Sequence, residues 1–137
     1  MKTLKKYCEE NGLDVNKVFD MVLGESEGIL PKARGYTGYF AEITDTSLIC
    51  TNDVLGVKKE IPFSSFQAAE FGIGSGLLWL QCVVDGKSLV FSSTRKNWKS
   101  PAGKLIMEKI AEQTEILSRK EYDRYTGKLF LFYALIR

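Results

Sequence analysis

The chain has 137 residues, of which 45% are hydrophobic and 26% charged, and it carries a net charge of +2. This length fits one domain with a core that needs no metal or disulfide, and so small a net charge argues against a nucleic-acid partner. Because the sequence contains no histidine, it lacks Ser-His-Asp and Cys-His nucleophile systems and the commonest transition-metal ligand, so we expect a non-enzymatic protein without catalytic residues, cofactor or metal.

The first 25 residues predict an N-terminal helical extension. Leu4, Tyr7 and Cys8 recur at a spacing of three to four residues, which places them on one face of a helix. Asp14 then stands as a candidate N-cap for a second helix, Val15–Leu23, which has its own apolar stripe. We expect two short helices, or one bent helix, packed on the rest of the domain.

The next part of the chain, up to residue 93, consists of short runs rich in β-branched and aromatic residues with turn residues between them. Seven strands are predicted: Glu27–Arg34, Tyr39–Thr44, Ser47–Thr51, Val57–Phe63, Phe66–Phe71, Leu77–Val84 and Lys87–Ser92. Tight hairpin turns are expected at Asp45-Thr46 and Asp85-Gly86, the second because glycine tolerates the positive φ of a type I′ turn. We expect Gly35–Gly38 to be a further turn and Phe71–Gly76 to be a flexible one.

A two-residue turn at Asp85-Gly86 fixes the register of the last hairpin, with Val84 opposite Lys87. The side chains of the hairpin then divide between two faces. The expected core face holds Leu78, Leu80, Cys82, Leu89 and Phe91. The opposite face holds Trp79, Gln81, Val83, Ser88 and Val90. Because this second face is too apolar to be left in water, we expect the N-terminal helices, the C-terminal tail or another subunit to cover it, with Trp79, Val83 and Val90 at the interface.

A helix and an apolar tail complete the chain. Ser100 and Pro101 supply an N-cap and a first-turn proline, and Ile106, Ile110 and Leu117 trace one apolar stripe beyond them. The tail, residues 119–137, ends in eight consecutive apolar residues, too few to span a bilayer and readable either as a strand or as a buried helix. We expect it to complete the domain or to form an interface, for which the candidates are Phe130, Phe132 and Tyr133.

The cysteines and the N-terminus bear on the location of the protein. Cys50 and Cys82 lie inside apolar runs, and none of the three cysteines forms a C-x-x-C pair. We interpret them as reduced core thiols, as in a cytosolic protein. No apolar segment of a secretion signal follows the N-terminal lysines. The expected location is therefore cytoplasmic, with peripheral attachment to a membrane as an open alternative.

Three stretches in this order carry a family resemblance. They are the hairpin GYFAEITDTSLICT, the segment KKEIPFSSF and the Asp85-Gly86 hairpin that ends in LVFSS, and a helix follows them. Over residues 26–118 the chain resembles the bacterial PH-like and GRAM-like domains of the pleckstrin-homology superfold. The resemblance implies an α+β fold, in which a seven-stranded antiparallel barrel of two packed sheets is capped by a C-terminal helix.

The resemblance also implies a binding or assembly module, and two departures limit what it says about a ligand. Eukaryotic PH domains usually carry a tryptophan in the C-terminal helix, which is missing from Ser100–Leu117. Phosphoinositide-binding members often carry a longer basic pattern at the first hairpin, where this chain has only Lys32-Ala33-Arg34. The family likeness therefore points to binding without naming a lipid.

The candidate ligand site is the predicted loop Thr94–Lys104. It contains Trp98, no acidic residue, and the cations Arg95, Lys96, Lys99 and Lys104. A helix start beside these cations suits an anion or a membrane headgroup layer. The other interpretation is a solvated basic loop whose Trp98 packs back onto the barrel. Lys32, Arg34 and the pair Lys58-Lys59 are lesser candidates, more typical of charges that guard an edge strand.

Three hypotheses for function follow. The first is a module that acts through protein–protein contacts, self-association among them. The second is a peripheral membrane-surface or anionic-lipid binder that uses the 95–104 segment. The third, an enzyme or small-molecule carrier, requires a sizeable cavity with converging polar groups, which a barrel this small normally fills with its own side chains.

Overall fold

The computed structural model describes residues 2–26, 34–74 and 77–126. The predicted strand segment 27–33 and the apolar tail 127–137 lie outside the described residues. The helices are α1 (Leu4–Asn11), α2 (Arg95–Lys99), α3 (Pro101–Ala111) and α4 (Arg119–Thr126), with short 3-10 turns at Val15–Lys17 and Phe63–Ser65. The strands are β1 (Val18–Ser26), β2 (Arg34–Ile43), β3 (Ser47–Asn52), β4 (Val57–Pro62), β5 (Phe66–Gly74), β6 (Leu77–Val84), β7 (Lys87–Ser93) and β8 (Ile116–Leu117).

These strands form one eight-stranded sheet in the order β4-β3-β2-β1-β7-β6-β5-β8. All pairs are antiparallel except β5 with β8. The first four strands make one meander and β5 to β7 make a second, and the pairing of β1 with β7 joins the two. The predicted α+β class with a large antiparallel sheet is confirmed. In the described part of the chain the sheet is not closed, since β4 and β8 stand at its two edges.

The predicted second helix, Val15–Leu23, is wrong. Asp14 does cap a turn, but only the 3-10 turn Val15–Lys17, and the chain then enters β1 in the middle of the sheet. The apolar residues of this segment also fit an alternation with period two: Phe19, Met21 and Leu23 are buried on the inner face of the sheet. That alternation prevailed because it fills the core between two neighbouring strands.

Two predicted turns are also strands. The segment 35–38 belongs to β2, where Gly38 pairs with Val22 of β1. The predicted flexible turn at residue 71 continues as β5 to Gly74, and Gly72 pairs with Trp79. A Cβ atom on Gly72 would lie 2.1 Å from Cζ2 of the Trp79 indole, so glycine is needed there to let the ring lie across the strand.

The hairpin predictions hold. In the β2–β3 turn the Thr44 hydroxyl accepts a hydrogen bond from the Ser47 amide at 2.9 Å. In the β6–β7 hairpin Val84 pairs with Lys87, and Asp85 and Gly86 have φ of 50° and 77°, as a type I′ turn requires. All five side chains expected on the core face of that hairpin are buried.

The main core lies on the inner face of the curled sheet, and α2, α3 and α4 close one end of it. Helix α3 begins at Pro101 with the predicted Ser100 cap, and buries Ile106 and Ile110 against the sheet. It ends at Ala111, so Leu117 lies in β8, with 55% of its surface exposed, and does not extend the helical stripe as predicted.

A smaller cluster lies on the outer face of β1 and β2, beneath α1. The helical face predicted for α1 is confirmed, because Tyr7 and Cys8 are buried. The Tyr7 ring stacks on Phe40 with centroids 4.4 Å apart, and Val18 completes the cluster. The N-terminal helix therefore covers the β1–β2 part of the outer face.

Candidate functional site

The basic segment that sequence analysis singled out is helical and rigidly capped. The Thr94 hydroxyl accepts from the Asn97 amide at the start of α2, and the Ser100 hydroxyl accepts from the Gly103 amide at the start of α3. Asn97 also donates to the Asp20 carbonyl of β1 at 3.3 Å. These contacts fix the segment against the beginning of β1.

Trp98 is a core residue, so its predicted role as a ligand contact is wrong. Its side chain is 0% exposed, and its indole N–H donates to the Leu78 carbonyl at 2.9 Å. Its ring packs against Phe19 and Phe71, with centroids 4.7 and 6.4 Å away. A five-residue helix turns the tryptophan inward while its cations remain outside, as the alternative interpretation of this segment held.

The four cations of the segment are exposed. Arg95, Lys96 and Lys99 lie on α2, and Lys104 lies in the first turns of α3. The backbone of Arg34 lies opposite Glu25 in the β1–β2 register, near the end of β1, whereas α2 contacts Asp20 near its beginning, so Arg34 is at the far end of the strand from these cations. Lys32 lies outside the described residues. The segment therefore offers a basic surface.

The outer face of the β6–β7 hairpin is only partly open. Trp79 and Val83 are half-buried, and Val90 is 2% exposed, so Val90 is covered within the chain itself and not by another subunit. Leu77, at the beginning of β6, is 38% exposed on this same outer face. Ile73 is 44% exposed but lies on the opposite face, since it pairs with the buried Leu78. The tail residues Phe130, Phe132 and Tyr133, also predicted at an interface, are not in the described part of the chain.

The beginning of the tail packs on the domain as helix α4. The Tyr122 hydroxyl donates to the Trp98 carbonyl at 2.8 Å, and its ring meets Phe71 edge-on with centroids 5.3 Å apart. Burial raises the pKa of Tyr122 to about 12. Helix α4 thus packs beside β5 and helps α2 and α3 to close one end of the core.

A cleft of about 440 Å³, which sequence reasoning missed, lies between the β4 edge and the β6–β7 turn of the curled sheet. Its walls are apolar and its rim is charged. The lining residues are Leu23, Lys59, Glu60, Ile61, Pro62, Val84, Asp85, Lys87 and Leu89. The Lys59 ammonium lies over the neighbouring Tyr39 ring, 5.9 Å from its centroid. The charged run before Pro62 marked β4 as an edge strand, but the cleft arises from the curl of the sheet, which no local pattern encodes.

A second cleft, of about 590 Å³, lies between the start of α1 and the β3–β4 turn. Lys2 forms ion pairs there with Glu10 and Asp53. Val54 stands at its rim, and the Val54 side chain is exposed. Lys6 also lines the cleft, so two lysines face Glu10 and Asp53 and neither sign is in surplus, which makes this cleft a weaker candidate for an ionic ligand.

The thiols are placed for packing. Cys8, Cys50 and Cys82 are buried and unpaired. Burial raises the pKa of all three thiols, that of Cys50 to about 12. Since the thiolate is the nucleophilic form, the raised pKa lowers the reactivity of these thiols near neutral pH. In the part of the chain that the structure describes, no cluster of acidic residues and cysteines could hold a metal ion.

Comparisons with protein-family models, with curated proteins and with solved structures each give no match. None of the helices over the described ranges is long and apolar enough to cross a bilayer.

Proposed function

We propose that this chain is a non-catalytic, PH-like binding module that acts through protein–protein contacts, self-association among them. The strand order supports the PH-like part of the proposal. A four-stranded meander and a three-stranded meander meet at the β1–β7 pair, and α3 packs at the beginning of β1. The PH-like barrel is the architecture that such an order would build if the two sheet edges approached each other.

The observation that carries the proposal is the apolar patch on the outer face at the beginning of β6, formed by the exposed Leu77 and the half-buried Trp79. Leu77 pairs with Gly74, and Trp79 with Gly72, so both side chains lie on the outer face. The Trp79 ring lies across Gly72, and its Nε1 would be 3.5 Å from a Cβ atom on Gly74. An aromatic ring held flat beside an exposed aliphatic side chain is typical of the centre of a protein interface.

Light scattering of the full chain up to high micromolar concentration tests self-association. We expect a molar mass that rises above the monomer value of 15.4 kDa with concentration. Leu77→Glu should return it to the monomer value, because a carboxylate in an apolar contact is left without a partner. Leu55→Glu is the matched control, since Leu55 is also exposed but lies in the β3–β4 turn. A monomer throughout, or equal effects of the two variants, would contradict self-association through this patch.

The basic surface of α2 and α3 favours a second candidate function, peripheral binding to an anionic membrane. Arg95, Lys96, Lys99 and Lys104 are exposed on capped, rigid elements. Each cation near an anionic surface contributes on the order of 1 kcal/mol, which gives weak, salt-sensitive attachment for four of them.

Co-sedimentation with anionic and with neutral vesicles, at low and at physiological salt, tests this candidate. Binding to anionic vesicles alone, lost at higher salt, is the expected result. The triple variant R95A/K96A/K99A should abolish it. The triple variant K5A/K6A/K58A removes the same charge from exposed lysines elsewhere and should bind more tightly than R95A/K96A/K99A. Equal binding of the two variants would remove the 95–104 segment from this function.

A further inference from the structure

In the part of the chain that the structure describes, one edge of β4 has no partner strand, and the proposed contact surface does not use it. Among the described residues β4 pairs with β3 alone, and it ends the sheet. The phase of the β3–β4 ladder tells which backbone groups point away from β3. Ser47 pairs with Pro62, so Thr46 and Phe63 are the next pair in the same register. This pair is hydrogen-bonded, because the Phe63 amide donates to the Thr46 carbonyl at 2.9 Å.

Hydrogen-bonded pairs alternate along an antiparallel ladder. Counting in steps of two from the pair of Thr46 with Phe63, the hydrogen-bonded residues of β4 are Ile61, Lys59 and Val57. The N–H and C=O groups of Lys58 and Glu60 therefore project outward from the edge. They are donors and acceptors arranged for one more strand.

The 440 Å³ cleft runs along this same edge. It contacts four consecutive residues, 59–62, and consecutive residues of a strand point to opposite faces. A cleft that touches all four must therefore lie beside the strand and not over one face of it. Across the cleft stand Val84 and Lys87, and Leu23 contributes to its apolar wall. Its volume falls in the range of roughly 300 to 1,000 Å³ that is usual for ligand pockets.

The charges of β4 argue against a second copy of the same strand as the occupant. In a two-fold antiparallel pairing of β4 with a second copy, inner-face side chains must lie opposite inner-face side chains. This holds only when one residue of β4 lies directly opposite the same residue of the other copy. Centring the pairing on Lys58 or Glu60 places that charge opposite itself and leaves Lys59 opposite an apolar residue. Centring it on Lys59 pairs Lys58 with Glu60 but places Lys59 opposite itself on the inner face, beside the cleft, which is destabilising. The edge therefore favours a strand that places an acidic residue, and not a lysine, opposite Lys59.

We propose that an extended peptide segment of a partner protein adds to the edge of β4, with its inward apolar side chains in the cleft. The fitting strand runs antiparallel to β4. It places apolar residues opposite Val57 and Ile61, acidic residues opposite Lys58 and Lys59, and a basic residue opposite Glu60. This inference rests on the proposed function as a protein-binding module and names a kind of partner for it, at a surface separate from the Leu77 patch.

A blocked peptide of sequence TVKEEVT, which carries this complement, is the probe. The full chain, labelled with ¹⁵N, is titrated with it. We expect the largest shifts at the outward amides of Lys58 and Glu60 and along the cleft at Leu23 and Val84. The charge-reversed peptide TVEKKVT should bind several-fold more weakly. Absence of shifts in β4 with TVKEEVT at millimolar concentration, or equal binding of both peptides, would overturn the proposal.

One pair of variants tests the backbone contact itself. Glu60→Pro removes the outward N–H, while the amides that bond to β3 remain, and proline is tolerated on a strand edge that faces solvent. Glu60→Thr removes the same charge but retains the N–H. We expect Glu60→Pro to bind TVKEEVT roughly tenfold more weakly than Glu60→Thr, since a hydrogen bond is lost and the ring obstructs the incoming strand. Equal affinities would show that no strand is added at β4.

Light scattering on the same samples separates this inference from the proposed function. A monomer that binds TVKEEVT at β4 would sustain the peptide site while self-association fails. An oligomer that Leu77→Glu dissociates, but that shows no β4 shifts, would sustain self-association while the peptide site fails.

Discussion

The two ends of the curled sheet use similar side chains in opposite ways. At the closed end a basic segment surrounds Trp98, and the aromatic ring is fully buried, with its N–H bonded to the Leu78 carbonyl. At the β4 edge a basic strand passes the Tyr39 ring, and Lys59 lies over that ring beside an open cleft. Cations next to an aromatic residue are therefore core packing in one place and the rim of a cleft in the other.

What differs between the two ends is where the backbone hydrogen bonds go. The closed end satisfies its groups internally, as when the Tyr122 hydroxyl bonds to the Trp98 carbonyl. At the β4 edge the groups of Lys58 and Glu60 point outward. A region with its polar groups satisfied internally contributes stability, whereas a region with outward groups is available for recognition. Variants at the two ends should separate these roles.

The largest effect is expected from Trp98→Ala at the closed end. It removes a fully buried ring that contacts Phe19, Phe71 and Tyr122, together with one hydrogen bond. The free energy of unfolding in urea should fall by about 3–5 kcal/mol. The exposed neighbour Lys96→Ala serves as the control and should change it by less than about 0.5 kcal/mol. Similar values for the two variants would contradict the assignment of Trp98 to the core.

Gly72→Ala should have an intermediate effect on the outer face, between the two ends. The new methyl group would lie 2.1 Å from Cζ2 of the Trp79 ring, so the ring must leave the strand. We expect a loss of about 1–3 kcal/mol of stability and greater quenching of Trp79 fluorescence by acrylamide. Ala68→Ser is the control, because Ala68 lies on the same strand as Gly72, whereas Gly56→Ala would introduce strain of its own at a residue with positive φ. Unchanged quenching would contradict the contact.

Buried thiols predict a loss of stability in alkali. The pKa of Cys50 is raised from near 9 to about 12 by burial. Because the unfolded chain then releases a proton that the folded chain retains, this contribution is complete below pH 9 and is lost as the pH rises from about 9 to about 12. Each such group lowers the free energy of unfolding by about 1.4 kcal/mol per pH unit within that window. Urea unfolding from pH 8 to 11 should show a shallower decline in Cys50→Ala than in the parent chain; identical slopes would contradict burial of this thiol.

The smallest change in stability is expected from Glu60→Pro at the β4 edge. Since the outward amide of Glu60 has no role in the β3–β4 ladder, the free energy of unfolding should change by less than about 0.5 kcal/mol. Gln81→Pro is the matched variant in a central strand, where Gln81 pairs with both Glu70 and Val90. It should fail to fold or lose far more stability than Glu60→Pro. Comparable losses would show that β4 is not a free edge.

The hairpins and the capped helix could be predicted from the sequence because their signals are local. The Asp85-Gly86 turn defined both the turn type and the register, and Ser100-Pro101 defined a helix start. The strand β1 could not be predicted, since Val18, Phe19 and Val22 fit a helix and a strand alike, and only the pairing with β2 and β7 decides between them. Trp98 was left with two interpretations for a related reason: whether an aromatic residue among lysines points inward depends on the space that the sheet leaves for it. The cleft is likewise a product of the curl of the sheet.

Amide hydrogen exchange along β4 in the monomeric full chain tests the central claim most directly. If the edge is free, the amides of Lys58 and Glu60 should exchange much faster than those of Lys59 and Ile61, in strict alternation. The amides around Trp98 should exchange slowest. Equal protection of all four β4 amides would mean that the edge is already paired, and it would contradict the assignment of β4 as a site of recognition.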